Sequence, residues 1–352
     1  MSLIFVIFHT TLSLIGCVLN SLLCYVAAWK SPTVIKTYSI ITVNFAITNL
    51  AICVVNFVLQ MRMIPIEKTI IFVSYGPCQW LNNKICFDLY SVLVHVYTHT
   101  IWLLFVSFCY RYYVMVKSEP SKTRVNLLLL IIYIPSFVQM ILLFFDFTDP
   151  SILLKIQQSL VPQYNLKGLM IFGIADSTSF NAMFSIIHVA VMSTPIVLCI
   201  VVLRKKILKK MSFKGVEVNS STRSLQLQLL RALTFQALIP CFYLIGVASY
   251  FISRLEIYRD PFFEYLIFSA FLFVPVLSPI SAFTFVTPYR KWLLRACHLS
   301  IYRVESEKNE TTKEVTNETR WGQSTRTNSI IYEFERFTVL NILYKTTNLL
   351  DD

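Results

Sequence analysis

Seven separate runs of apolar residues, each about as long as a bilayer is thick, leave this chain few ways to fold. They cover approximately residues 3–29, 39–61, 85–110, 125–145, 180–203, 225–252 and 265–287. A helix needs about 20 apolar residues to cross the hydrocarbon. A segment inside lipid must satisfy its own backbone, so each run is expected to be a helix. Composition closes off the soluble alternative. Of the 352 residues, 56% are hydrophobic and 14% charged, and a water-soluble domain of this kind would expose too much apolar surface. The expected fold is an all-α membrane protein, a seven-helix bundle. Pro135, Pro195, Pro240, Pro275 and Pro279 lie inside the runs. In a bundle they read as kinks.

The net charge of +12 does not point to nucleic acid, because the basic residues sit in short gaps between apolar runs. One set of gaps holds Lys30, Lys36, Arg111, Lys117, Lys122, Arg124, Arg204, Lys205, Lys206, Lys209, Lys210, Lys214, Arg223, Arg290, Lys291, Arg295 and Arg303. The alternate set holds only Arg62, Lys68, Lys84, Lys155, Lys167, Arg254 and Arg259. Basic loops stay in the cytoplasm, so the N-terminus is expected outside and the C-terminus inside. The first run reads as an uncleaved membrane segment, with no capture domain before it.

Residues 1–303 are expected to form the membrane domain. Residues 289–302 mix Trp292, Leu293 and Leu294 with basic residues, as in a short amphipathic helix on the inner leaflet. Residues 304–352 read as a disordered cytoplasmic tail. The sequons at Asn219, Asn309 and Asn317 then face the cytosol and stay bare. An apolar stretch at 330–344 carries charges and is too short for an eighth crossing. The longest outer loop, residues 146–179, is apolar enough to fold back over the bundle mouth.

No glycine-rich phosphate loop, paired buried carboxylate or metal-ligand spacing is visible, so neither an enzyme nor a cofactor is expected. Arg111 at the end of the third run reads either as an inside anchor or as a switch residue that holds neighbouring helices. His95 and His99 share a helix face, and His188 lies in the fifth run. Without further ligands this set suits a small-molecule pocket better than a metal, with Tyr97, Trp102 and Gln236 as further lining candidates.

Several motifs carry a resemblance. They are Gly16 with Asn20, Asn44-Phe45-Ala46-Ile47-Thr48-Asn49-Leu50, Tyr110-Arg111-Tyr112 and Ser278-Pro279. In that order they resemble the rhodopsin-like G-protein-coupled receptors over about residues 3–300. Asn49 stands where that group has an aspartate, Tyr110 where it has an acid, and Ala282 where it has a tyrosine. A closer resemblance is carried by Gly76-Pro77-Cys78, Ser107-Phe108-Cys109-Tyr110-Arg111-Tyr112-Tyr113, Gln228-Leu229-Leu230-Arg231-Ala232-Leu233-Thr234-Phe235-Gln236, and Thr287-Pro288-Tyr289-Arg290. These are similar to nematode chemosensory receptors of serpentine class delta.

The resemblance implies a multi-pass receptor of the plasma membrane, on a sensory cilium, for an environmental chemical. It implies a heterotrimeric G protein docking at Arg111, Tyr112, Arg204, Lys205, Lys206, Arg223 and Arg231, with Pro240 and Pro279 as kinks. A retinal pigment is excluded, since 266–288 hold no lysine for a Schiff base. Asp88 lies roughly 34 Å before Arg111 at 1.5 Å per residue, too near the mouth for an amine counter-ion. Many receptors of this architecture bond the cysteine heading the third helix to the second outer loop. That loop has no cysteine here. Cys78 is left either bonded to Cys86 or, with it, a free thiol. A seven-helix ligand-gated channel or a transporter is the alternative class. The channel predicts an inside N-terminus, the transporter inverted repeats and midplane charges.

Overall fold

The computed structural model describes residues 2–213, 235–236, 238–255, 257–258 and 260–296. Six of the described helices are long and apolar enough to cross a membrane. The first is Ser2–Trp29, the second Lys36–Leu59, the third Asn83–Val116 and the fourth Lys122–Phe144. The fifth runs as Phe180–Ile186, a wide π turn at Ile187–Val191, and Ser193–Phe213. The sixth is described as Ile239–Arg254, and the seventh is Pro261–Phe285. Residues 287–296 are helical as well. The remainder of the expected 289–302 helix, the tail, Arg223, Arg231 and the three sequons lie outside the described residues, as do positions 225–234 of the sixth run.

The third helix is the axis of the bundle. In its most apolar window 78% of residues are buried, against 22% in the first and fourth helices. The first and fourth instead turn Leu3, Ile4, Ile7, Leu127, Leu130 and Ile131 outward, apolar surface that only lipid solvates cheaply. Helix starts are set by short polar side chains. The Asn82 side chain accepts from the Ile85 N–H at 2.8 Å, and Asp260 accepts from that of Phe262 at 2.8 Å, just before Pro261. Side-chain caps satisfy N–H groups that the helix itself leaves free.

The third helix does not end at Tyr110. It continues to Val116, so Arg111 is a helical residue rather than an exit residue.

The all-α expectation needs one correction. Beyond the second helix the chain forms β1 (Met61–Ile66) and β2 (Thr69–Ser74), joined through Glu67 and Lys68. β3 (Met170–Ile174), from the loop after the fourth helix, pairs antiparallel with β2, Phe72 opposite Phe172. One face of this sheet (Met63, Ile70, Phe72, Phe172, Ile174) joins the bundle core. The other (Ile64, Ile66, Ile71, Val73, Ile171) packs on Leu153 of a loop helix, Pro150–Leu160, and on Val161 and Leu166. The 146–179 connection thus folds back over this end of the bundle, called here the sheet end. Gly76 follows β2 where an added Cβ would collide with the carbonyls of Phe57 and Val58. That close approach accounts for the glycine in Gly-Pro-Cys.

Pro279 has no N–H, so the carbonyl of Pro275, four residues earlier, loses its helical donor. Asn20 supplies the replacement. Its Nδ2 donates to the Pro275 carbonyl at 2.8 Å and to that of Gly16 at 2.8 Å. The first and seventh helices are stitched through a buried bond that the Gly–Asn and Ser–Pro motifs jointly create. Asn20→Ala leaves the Pro275 carbonyl without this donor inside the bundle, at a cost of about 1–3 kcal/mol. A lower apparent Tm of the purified receptor is the expected result. An unchanged midpoint would show that the bond contributes nothing.

Candidate functional site

Between the third, fifth, sixth and seventh helices lies a cavity of about 80 Å³. Its roof is the inner face of the sheet, through Met63, Ile70 and Ile174. Space comes from small side chains on the fifth helix, Ala182, Ser185 and Ala190. The π turn widens the helix at this level, a distortion common at functional sites. Within that turn the Val189 carbonyl accepts from the Tyr243 hydroxyl at 3.3 Å.

Four tyrosines line the walls, Tyr90 and Tyr97 from the third helix and Tyr243 and Tyr250 from the sixth. Phe271 stacks on Tyr243 and tilts against Tyr97, with ring centroids 4.6 and 5.3 Å apart. None of the described lining residues carries a charge. The Tyr97 hydroxyl is buried and has no hydrogen-bond partner. A hydroxyl in that position costs free energy until something accepts its proton.

Of the pocket residues expected from sequence, only Tyr97 reaches this cavity. His95 and His99 point to the fourth helix, each edge-on to Tyr133 at 4.8 and 5.2 Å, and His99 Nε2 meets Asn44 Oδ1 at 3.2 Å. Residues two apart on a helix face roughly opposite ways, which separates Tyr97 from both histidines. Trp102 Nε1 donates to His188 Nε2 at 3.2 Å, a bond between the third and fifth helices. Gln236 donates to Ser281 Oγ at 3.0 Å and lines a second, smaller cavity of about 30 Å³ toward the opposite end. No cluster of metal ligands occurs among the described residues.

The sheet is latched to the seventh helix. Arg62 of β1 pairs with Glu264, Nη2 to Oε2 at 2.6 Å; Glu264 is buried and Arg62 largely so. Tyr164 donates to Glu264 Oε1 at 2.6 Å. The guanidinium also lies over the rings of Tyr265 and Tyr164, at 4.8 and 5.4 Å. Burial by itself lowers the Arg62 pKa, but the Glu264 carboxylate more than offsets this and holds it above the ordinary value. Arg254 donates to Ser177 Oγ at 2.7 Å and ties the sixth helix to the same loop. Cys78 and Cys86 form a disulfide, Cα atoms 5.9 Å apart, joining a short turn to the start of the third helix.

At the opposite, basic end Arg111 lies over the ring of Tyr38 from the second helix, 3.7 Å from its centroid. Tyr38 is itself held, with its hydroxyl 2.9 Å from Ser107 Oγ. The Arg111 Nε and Nη2 atoms are buried without hydrogen-bond partners. The single carboxylate nearby in sequence, Glu119, accepts from Tyr110 at 2.9 Å. A ring face therefore sits where an acid beside the arginine is absent. Lys205 and Lys206 are exposed, and Arg204 is half-buried.

Sequence reasoning missed Tyr38, Arg62, Glu264, Tyr90, Tyr243 and Tyr250. One signal was present: Arg62 and Glu264 bear opposite charges at two run ends that alternation puts on one side.

Among the described residues, six long apolar helices and a shorter seventh around a partly open cavity make a serpentine membrane protein. Within that class the chain belongs to the family described as serpentine type 7TM GPCR chemoreceptor Srd, whose family model matches residues 5–295. Two Caenorhabditis elegans proteins are similar over most of their length. Serpentine receptor class delta-18 is 35% identical over 295 residues, 83% of this chain and 88% of that protein. Serpentine receptor class delta-19 is 36% identical over 301 residues, 84% of this chain and 88% of that protein. Serpentine receptor class delta-1 is more distant, at 29% over 300 residues.

Proposed function

We propose that this chemoreceptor binds a small, neutral, mostly apolar molecule in the cavity under the sheet and signals to a heterotrimeric G protein at its basic end. The arrangement of the loops by charge supports an outside N-terminus and a plasma-membrane setting, in the manner of a rhodopsin-like receptor. Membership of a chemosensory family supports a sensory cilium. The observation that carries the reading is the tyrosine-lined cavity, uncharged among its described lining residues, with the buried, unpartnered Tyr97 hydroxyl in its wall. A charged ligand would be desolvated there without a counter-ion, which is prohibitive.

Size adds a mechanism. The volume, about 80 Å³, is roughly half that of the ~150 Å³ apolar cavity known to admit benzene. A ligand of a few heavy atoms enters unaided. A larger one displaces side chains of the third, sixth and seventh helices, and so favours a different arrangement of them. At the basic end that rearrangement frees Arg111 from Tyr38 for a partner helix.

A screen of neutral volatile and semi-volatile compounds, read by calcium with and without a co-expressed G-protein α subunit, tests the reading. For an active ketone, ester or alcohol, Tyr97→Phe is expected to raise the half-maximal dose by roughly 3- to 10-fold, the worth of one neutral hydrogen bond. An active hydrocarbon should be indifferent to the change. Equal sensitivity of Tyr97→Phe to all ligands would remove the hydroxyl from recognition, and activity confined to ions would remove the cavity.

A further inference from the structure

A third concavity lies outside the helix core, on the face where the first, second and fourth helices meet. It is an open groove of about 620 Å³, within the ~300–1,000 Å³ typical of small-molecule sites. Two lysines stand at one end, Lys36 at the start of the second helix and Lys122 at the start of the fourth. The walls beyond them are apolar, chiefly Ile40, Ile47, Leu129 and Leu130. Among the described residues no carboxylate lines the groove.

Its length is informative. Ile47 and Tyr133 close the far end, each eleven positions from its lysine, a rise of about 16 Å at 1.5 Å per residue. The hydrocarbon core is about 30 Å thick, so the groove is one leaflet deep. It is cationic where the headgroups of that leaflet lie and apolar where the chains lie.

One feature fits bulk lipid badly. Asn126 is exposed one turn inside Lys122, on the surface of an apolar helix, and it lines this groove. A polar side chain facing hydrocarbon in a spanning helix is costly unless it finds a partner.

We propose that the groove is a binding site for an anionic phospholipid of the leaflet at the basic end. Lys36 and Lys122 hold the headgroup phosphate, Asn126 bonds the ester region below it, and an acyl chain lies along Ile40, Ile47 and Leu130. The occupant also contacts Asn44 and Tyr133, the residues that touch His99. The site therefore abuts the third helix on the side away from Tyr97. The assignment does not depend on which solution that end faces.

The test is native mass spectrometry of the full chain in detergent micelles, titrated separately with phosphatidylserine and phosphatidylcholine. Two lysines beside an anionic headgroup should make phosphatidylserine retention exceed phosphatidylcholine by roughly 10-fold or more. Lys36→Gln with Lys122→Gln should bring it down to the phosphatidylcholine level. Lys205→Gln with Lys206→Gln, which removes the same charge elsewhere, should leave it unchanged. Where the first pair fails to fold, Asn126→Leu alone should weaken phosphatidylserine retention with both lysines intact. Equal retention of the two lipids, or equal loss from both lysine pairs, would overturn the site. Complete displacement by millimolar inorganic phosphate would assign the lysines to a soluble anion and overturn the lipid.

Discussion

Arg111→Ala is expected to abolish ligand-evoked G-protein activation, by roughly 100-fold, the upper range of coupling between two sites, while surface expression stays normal. The geometry gives both halves of that expectation. The guanidinium has buried Nε and Nη2 atoms with no hydrogen-bond partners, and its main contact is the face of the Tyr38 ring. Among the described residues removing it deletes no ion pair, and a single cation–π contact of about 0.5–2 kcal/mol is lost, so the fold should survive. What goes is the group that a docking helix would meet through its carbonyls. Tyr38→Leu should act the opposite way and raise signalling without ligand, because it releases Arg111. Tyr38→Phe keeps the ring but loses the Ser107 bond, and should fall between the two. Surface labelling with a cyclic-nucleotide or calcium readout separates these outcomes. Full signalling by Arg111→Ala would remove the arginine from the mechanism, and silence of Tyr38→Leu would remove the lock.

The second large effect is expected at the latch. Glu264→Ala leaves Arg62 largely shielded from water, its side chain 12% exposed, without its carboxylate partner. Breaking a buried pair by deleting one partner costs about 3–5 kcal/mol. The variant should reach the surface poorly and unfold at a much lower temperature in detergent. Replacing both partners, Arg62→Met with Glu264→Met, removes the stranded charge and should recover most of the loss. A double variant no better than Glu264→Ala would show that Arg62 contributes through its stacking on Tyr164 and Tyr265 instead.

The helices were legible because run length against bilayer thickness is a one-dimensional property. The first, fourth and seventh begin and end within a few residues of the apolar runs. The third outruns its apolar stretch because a helix carries on once its side chains find partners, and Arg111 finds Tyr38. The sheet was illegible for two reasons. Its strands are buried on both faces, so Thr69–Ser74 shows no polar alternation. Its closure also joins residues about a hundred positions apart, Ile70 with Ile174, which no local pattern records. The cavity was legible only through Tyr97. The histidines read as pocket residues because they share a helix face, yet their spacing does not fix which neighbour that face meets. Tyr90, Tyr243 and Tyr250 were three among 18 tyrosines until the sixth helix and the sheet closed over them.

The packed sheet bears on how a stimulus arrives. With the inner face of β1 to β3 over the cavity and the outer face under the loop helix, approach through the sheet is obstructed by side chains on both sides of a hydrogen-bonded layer. A molecule that does not unlatch it would have an alternative route from the bilayer, sideways between helices. Potency across a chemical series would then follow oil–water partitioning before it followed shape, and the membrane itself would act as the antechamber that concentrates a dilute odour.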